Sequence, residues 1–335
     1  MIENDRLRQA VDLIGKSHSV LITTHTKPDG DACGCCLAFC EMLTSLGKNA
    51  CPLFLSPMPQ WYGFLFKDKV LVLGVDVTAE QLMEGRLGKF DLIVIVDTNC
   101  NSQLPDFEKY LKQVQTPVLV IDHHKTSDGL GDVELIDAAA AASASIVFEL
   151  FRYAGWPVTK RIAQGLFAAI ASDTGWFHFT NTDSRCHRDC ADLIDAGANP
   201  AEIFHNVYQT FSVPRFKLMT AMLNSLELHF KGRYAAQHIT KQDFENAGAS
   251  YTDTENLIDE CQKISTVEVA ALFSEMKDGR VRCSLRSRGN VDVCKIAQKF
   301  AGGGHPQAAG THLPGPVDNA KNLIYQCIAE HFGKP

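Results

Sequence analysis

Apolar residues in the first 205 positions alternate between short continuous runs and longer stretches with helical period. The runs at 20–24, 91–96 and 117–121 are rich in Val, Ile and Leu, which is typical of buried strands. The helical stretches lie at 32–46, 143–153, 160–172 and 184–195. This alternation predicts an α/β fold with a mostly parallel sheet covered on both faces.

The pattern changes beyond residue 200. Residues 200–226 are predicted to be helical with a break near Pro214, and 206–226 is interpreted as a helical connector. Strands are predicted at 233–239, 267–273 and 281–286, with helices that start near Thr254, Val291 and Asp318. We therefore predict a first domain at 1–205 and a second, smaller α/β domain at 227–335, with a cleft between them.

Composition narrows the class of protein. The chain has 335 residues, 45% of them apolar, and no apolar run approaches the roughly 20 residues that cross a bilayer. With no signal-peptide pattern at the start, we expect a cytoplasmic protein that does not contact membranes. Twelve irregularly spaced cysteines favour buried free thiols over disulfides. The net charge of -7 argues against long nucleic acid but allows a small phosphorylated ligand.

Titratable residues follow the predicted strands of the first domain. His25, Asp29 and Asp31 follow the first run, Asp97 the second, and Asp122-His123-His124 the third. Asp173 follows the apolar run 166–172, which we count as a fourth strand end although it also lies in the helix predicted at 160–172. Open α/β sheets bind their ligands at the carboxyl ends of the strands. These segments therefore predict one site.

Two imidazoles and four carboxylates make a mixed N/O donor set that suits Mn²⁺, with Mg²⁺, Co²⁺ or Zn²⁺ as alternatives. Four negative charges are balanced by two divalent ions, so we predict a dinuclear centre in which a bridging hydroxide attacks phosphorus in line. Asp97 is the predicted bridging carboxylate. Any one of these residues has a structural alternative, and Asp31 alone also fits the N-cap of the helix at 32–46. The predicted metal ligands are His25, Asp29, Asp31, Asp97, His123 and Asp173.

The adjacent histidines are given different roles. Neighbouring side chains of an extended segment point to opposite sides, so His123 is predicted to bind metal and His124 to face the substrate. His124 would hold a phosphate oxygen or protonate the leaving group, and Asp122 would orient an imidazole. The predicted catalytic residues are thus His124, Asp122 and Asp97.

The second domain carries a candidate anion site. Residues 281–286 alternate apolar and polar positions, which places Arg286 on the polar face, followed by Ser287. A guanidinium group can clamp a phosphate through two hydrogen bonds. The glycines at 302–304 allow backbone N–H groups to approach an anion. The predicted substrate-binding residues are Arg286, Ser287, Gly303, Gly304 and His305.

These motifs together resemble the DHH phosphoesterase superfamily. The resemblance rests on residues 25–32, 96–98, 121–124 and 172–175, and the segment 302–310 resembles its DHHA1 substrate domain. It implies that His25, Asp29 and Asp97 hold one ion, while Asp31, Asp97, His123 and Asp173 hold the other. The family usually has Ser at the position of Cys35 and a basic residue within the segment 101–103, which this sequence lacks. Both differences concern substrate preference.

The two-domain form is similar to bacterial oligoribonucleases that also act on adenosine 3′,5′-bisphosphate (pAp). The resemblance implies hydrolysis of RNAs of about 2–5 nucleotides to 5′-mononucleotides and removal of the 3′-phosphate of pAp. The alternatives are a phosphodiesterase for cyclic-di-AMP or linear dinucleotides and a nucleotide sensor without turnover. The expected partners are short RNA and nucleotides, and the question of a homodimer stays open.

Overall fold

The computed structural model describes residues 2–333. The chain divides into two compact units, Met1–Thr210 and Phe211–Pro335, which we call unit 1 and unit 2. The stretch predicted as a connector is divided between them, because its last helix begins at Val213 and therefore lies in unit 2. Within the described residues, no helix is long and apolar enough to cross a membrane.

Unit 1 contains a six-stranded sheet in which every neighbouring pair is parallel. The strand order is β3-β2-β1-β4-β5-β6. The central strands β1, β4 and β5 are almost entirely buried, which explains why their sequences are continuous apolar runs. The strands are β1 (Ser19–Thr24), β2 (Asn49–Phe54), β3 (Leu71–Val72), β4 (Leu92–Val96), β5 (Val118–Asp122) and β6 (Val133–Ile136).

Helices cover both faces of this sheet, as predicted. Val94 and Leu119 belong to the core shared with α2, α5 and α6, whereas Ile93 and Val120 pack with residues of α3 and α4 on the other face. The helices are α1 (Asn4–Lys16), α2 (Gly30–Ser45), α3 (Ala79–Met83), α4 (Phe107–Leu111), α5 (Ser143–Tyr153), α6 (Lys160–Asp173), α7 (Ser184–Asp195) and α8 (Pro200–Tyr208).

Helices α2 and α6 pack very closely against each other. A Cβ atom at Gly34 would lie 2.2 Å from the carbonyl oxygen of Gly165, so only glycine allows this approach. Gly30 faces Ser172 in the same way, at the start of α2 and the end of α6. The two helices therefore run antiparallel, and Asp173 at the end of α6 is brought beside the first turn of α2.

Two local predictions are wrong. Asp173 does not follow a strand; residues 166–172 belong to α6, because their apolar positions pack as a helix against α2. Asp31 is not the N-cap of α2. Asp29 is, and its Oδ1 accepts hydrogen bonds from the backbone N–H groups of Asp31 and Ala32, at 3.0 and 3.1 Å.

Unit 2 contains a mixed six-stranded sheet with the order β11-β12-β10-β9-β8-β7, in which only β8 and β9 pair in parallel. The predicted helix near Thr254 is replaced by two 3-10 segments, Tyr251–Thr254 and Leu257–Lys263. The strands are β7 (Glu227–His229), β8 (Tyr234–Ile239), β9 (Val269–Glu275), β10 (Arg280–Ser287), β11 (Gly303–His305) and β12 (Ala308–Pro314). The helices are α9 (Val213–Asn224), α10 (Lys241–Ala247), α11 (Val293–Gln298) and α12 (Val317–Phe332).

Candidate metal centre

The loop between β1 and α2 supplies the first group of side chains. His25 follows the last residue of β1, and its Nδ1 lies 2.8 Å from the carbonyl oxygen of Thr26. A carbonyl can only accept, so Nδ1 carries a proton and Nε2 is the ring atom that faces the site. That Nε2 atom lies 3.4 Å from Asp97 Oδ2 and 4.0 Å from Asp29 Oδ1. The imidazole thus presents a free ligand atom to two carboxylates.

Asp97 lies at the carboxyl end of β4, in the middle of the sheet. Its backbone is left-handed, with φ 63°, and only 2% of the residue is exposed. The backbone N–H donates to the carbonyl of Ile121 at 2.8 Å, and Ser143 Oγ donates to Asp97 Oδ1 at 2.9 Å. These hydrogen bonds hold a non-glycine residue in a conformation that is unfavourable in free energy. Such backbone strain is typical of functional sites.

The segment after β5 places both histidines on the same side. Their ring centroids are 4.6 Å apart, because the chain leaves the extended conformation after Asp122. The expectation that the two imidazoles point in opposite directions is therefore wrong. His123 Nε2 lies 3.1 Å from Asp173 Oδ2 and 3.6 Å from Asp97 Oδ1, while its Nδ1 faces the carbonyl of Ala140 at 3.3 Å.

Asp122 is buried and contacts His124, not His123. Its Oδ1 accepts from the backbone N–H of His124 at 3.1 Å and lies 2.7 Å from His124 Nδ1. This pair fixes the proton on Nδ1 and leaves Nε2 of a half-exposed ring available. His124 Nδ1 also lies 3.9 Å from Asp97 Oδ1, so the ring borders the same carboxylate as His25 and His123.

All six predicted metal ligands are brought together at this edge of the sheet. Together with His124 they form three overlapping groups, and in each the potential ligand atoms lie within 4.8 Å of one another. Asp97 belongs to two groups and His123 to two, which is the pattern expected where adjacent ions share ligands. The groups are His25-Asp29-Asp97, Asp97-His123-His124 and Asp31-His123-Asp173.

The electrostatics of these side chains also fit bound cations. Burial and the charges of neighbouring carboxylates raise the pKa of Asp97 well above its ordinary value. Burial and the charge of Asp173 raise the pKa of Asp31 to about 7. Burial alone would lower the pKa of His123, but its hydrogen bond to Asp173 and the charge of Asp31 raise it to about 9. Protons thus compensate negative charge here, a role that divalent cations fill.

Sequence patterns did not reveal how Asp31 is held. Its carboxylate accepts hydrogen bonds from the backbone N–H groups of Ser143 and Ala144, at 2.6 and 3.0 Å, and so caps the start of α5 from another helix. The thiol of Cys35, one turn along α2, donates to Asp31 Oδ1 at 3.3 Å. Ser143 was visible in the sequence only as a helix start, since a cap supplied from residue 31 has no local signal.

The anion site predicted in unit 2 is only partly available. Arg286 Nε donates to Asp259 Oδ1 at 3.0 Å, a partner that sequence reasoning missed. The Ser287 side chain accepts from the backbone N–H of Gly289 at 3.0 Å and is buried. Gly303 and Gly304 belong to β11, an edge strand paired only with β12, and the side chain of His305 lies outside the described residues.

Comparison with known proteins agrees with this architecture. The DHH family, N-terminal domain, matches residues 19–170, and the DHHA1 domain matches residues 232–330. The bifunctional oligoribonuclease and PAP phosphatase NrnA of Thermus thermophilus is 31% identical over 93% of this chain and 90% of that protein. The cyclic-di-AMP phosphodiesterase PdeA of Listeria monocytogenes is 27% identical over 90% of this chain but only 46% of that protein.

A solved structure has the same fold. An exopolyphosphatase-related protein from Bacteroides fragilis aligns with a TM-score of 0.89 at 21% identity, covering 99% of this chain and 98% of that one. The chain belongs to the DHH phosphoesterase family. It is a metal-dependent hydrolase, and the side-chain groups described above are its candidate metal centre.

Proposed function

We propose that the chain hydrolyses RNAs of about 2–5 nucleotides to 5′-mononucleotides and removes the 3′-phosphate of pAp to give AMP. The observation that carries the proposal is the set of three overlapping N/O ligand groups that share Asp97 and His123. The similarity to the Thermus protein over nearly the whole chain supports this choice of substrates.

The donor atoms suggest how two divalent cations would be held. His25, Asp29 and Asp97 would bind one ion, and Asp31, His123 and Asp173, together with Asp97, the other. Oxygen-rich sets with imidazole suit Mn²⁺, and Mg²⁺ and Co²⁺ are the competing ions. When bound, such a pair lowers the pKa of a water ligand and neutralises charge on the phosphate.

His124 is proposed as the general acid. Its hydrogen bond to Asp122 raises its pKa, which favours the protonated ring that a general acid requires. Asp122 fixes the ring orientation through the 2.7 Å contact with Nδ1, which leaves the proton on Nε2 free to reach the leaving oxygen. Arg286 is proposed to bind a substrate phosphate, together with Ser287, His305 and the backbone N–H groups of Gly303 and Gly304.

Hydrolysis of cyclic or linear dinucleotides is the second candidate, and the similarity to the Listeria cyclic-di-AMP phosphodiesterase supports the cyclic substrate. The test is one panel: pAp, linear dinucleotides, 2- to 5-mers, a 24-mer RNA and cyclic-di-AMP, each with Mn²⁺, Mg²⁺ or Co²⁺, with products separated by chromatography. We expect AMP from pAp, 5′-mononucleotides from the short RNAs and little product from the 24-mer.

Two results of the same panel would contradict the proposed function. Faster turnover of cyclic-di-AMP than of any linear substrate would make the second candidate the correct one. Tight binding of pAp, measured by calorimetry, without product under all three metals would instead define a nucleotide sensor.

A further inference from the structure

The turn after Asp173 has an unusual backbone. Gly175, Trp176 and Phe177 are consecutive left-handed residues, with φ 54°, 54° and 68°. Left-handed conformations cost free energy in aromatic residues and persist only where surrounding contacts impose them. Here the backbone N–H of Trp176 donates to Ala171 O at 2.7 Å, and that of Phe177 donates to Thr174 Oγ1 at 3.2 Å. These hydrogen bonds hold the backbone of the turn, from which the Trp176 side chain projects, in this conformation.

Trp176 packs with two exposed rings of α8. Its centroid is 5.0 Å from that of Phe204 and 5.9 Å from that of Tyr208, both edge to face. Phe204 and Tyr208 are four residues apart and share one helix face, yet they remain 39% and 40% exposed. We call Trp176, Phe204 and Tyr208 the aromatic ledge. The three rings pack against one another, and those of Phe204 and Tyr208 expose part of their surface to solvent.

Within unit 1, the 3-10 helix Gln60–Leu65 connects the helix of the aromatic ledge with the metal centre. Helix α8 packs against the 3-10 helix Gln60–Leu65, which carries Tyr62. The Tyr62 hydroxyl lies 3.0 Å from Ser172 Oγ, next to Asp173, and 2.6 Å from where a Cβ of Gly30 would be, between Asp29 and Asp31. Tyr62 therefore lies between α8, which carries two rings of the ledge, and the segments that carry Asp29, Asp31 and Asp173.

We propose that the aromatic ledge stacks the nucleobase of the nucleotide whose phosphate is hydrolysed. This inference rests on the proposed function and adds to it a binding surface for the base. Stacking on aromatic rings tolerates every base, because each has a π face. The ledge would therefore favour nucleotides over sugar phosphates without selecting a sequence.

The experiment compares pAp with ribose 3′,5′-bisphosphate, which is the same molecule without its base. In the wild type we expect KM for pAp to be about 10-fold lower than KM for ribose 3′,5′-bisphosphate, because one stacking contact contributes on this scale. Phe204→Ala and Tyr208→Ala should each raise KM for pAp and leave KM for the sugar bisphosphate unchanged. Tyr153→Ala, an exposed tyrosine at the end of α5, is the matched control and should change neither.

A second measurement works without turnover. Calorimetric titration with AMP and with ribose 5-phosphate should show tighter binding of AMP to the wild type and a reduced difference in Tyr208→Ala. If the wild type hydrolyses no nucleotide, the proposed function is wrong, but this titration still shows whether the aromatic ledge binds the base. Equal binding of AMP and ribose 5-phosphate would overturn the inference. The inference would also be overturned if the variants altered the sedimentation coefficient of the protein but neither KM value, because the ledge would then be a contact between two copies.

Discussion

The metal region of unit 1 and the Arg286 region of unit 2 are held in different ways. Asp31 and Asp97 are buried, and hydrogen bonds from the start of α5 fix both carboxylates. Arg286 is partly exposed, its strongest partner is the half-exposed Asp259, and the neighbouring glycines form an edge strand. Substitution of a buried group that makes several hydrogen bonds usually causes a large loss of activity or stability. An exposed ion pair contributes little to either. We therefore expect substitutions in the metal region of unit 1 to reduce catalysis more than substitutions in the Arg286 region of unit 2.

The largest effect is expected from Asp97→Asn. The substitution keeps the shape but removes the charge of the carboxylate that two ligand groups share. We expect kcat on pAp to fall about 1000-fold, more than the loss typical of residues that only orient ligands. Metal analysis should find fewer than two Mn²⁺ ions per chain.

Asp91→Asn is the matched control. Asp91 lies at the opposite end of the same strand segment and accepts hydrogen bonds from the backbone N–H groups of His18 and Ser19. Its substitution should lower thermal stability slightly and leave metal content unchanged. Full manganese-dependent activity in Asp97→Asn would contradict the shared-ligand model.

His124→Gln tests the proposed acid. We expect kcat to fall about 100-fold on substrates with a poor leaving group, with the metal content unchanged, because general acids contribute on this scale. The alkaline limb of the pH-rate profile should disappear, which loss of a purely structural residue would not cause. His18→Gln removes an exposed histidine that also faces an aspartate, at 3.5 Å, and should have no effect. A loss of one metal ion in His124→Gln would show that His124 is a ligand and not the acid.

The sequence predicted the metal region well because its signals are local. Continuous apolar runs identify β1, β4 and β5, and parallel strands bring their carboxyl ends to one edge of the sheet. Asp173 was predicted to belong to the site for a wrong reason, since it comes from a helix end. Only the close packing of α2 on α6, which depends on Gly34 and Gly165, explains why it lies there.

Other contacts had no signal in the sequence. The hydrogen bonds from α5 to Asp31 join residues 112 and 113 positions apart, and Asp259 reaches Arg286 across 27 positions. Spacing rules describe neighbours within one helix or strand and do not extend to such pairs. The prediction that the histidines diverge failed because the strand ends one residue before them.

The pH dependence of stability provides a third test, on metal-free protein. Asp31 has its pKa raised to about 7, so its charged form destabilises the fold above pH 7 and this cost disappears as the pH falls towards 3.8. His123, raised to about 9, stabilises the fold fully below about 6.5 and loses that contribution as the pH rises through 9. Both groups bind more protons in the folded state, so their contribution to stability rises as the pH falls from about 9 towards 3.8.

We therefore expect the Tm of chelator-treated protein to be several degrees higher at pH 6 than at pH 8. Mn²⁺ competes with these protons and should raise Tm more at pH 8 than at pH 6. Asp97→Asn, with one carboxylate fewer, should reduce the pH dependence. A metal-free Tm that increases from pH 6 to pH 8 would contradict the assignment of these groups.

The smallest effect is expected from Arg286→Ala in unit 2. Its guanidinium Nε donates to Asp259 and its Nη1 to the carbonyl of Leu285, so the proposed phosphate would meet the remaining donors at a partly exposed position, where screening limits the gain. We expect KM for pAp to rise about 10-fold with kcat unchanged, and a steeper KM increase at low salt than at high salt. Arg280→Ala, at the exposed start of the same strand and paired with Asp278, is the control and should leave KM unaltered. If Arg286→Ala lowered kcat as strongly as Asp97→Asn, the contrast between the two regions would be wrong, and unit 2 would contribute to the chemical step itself.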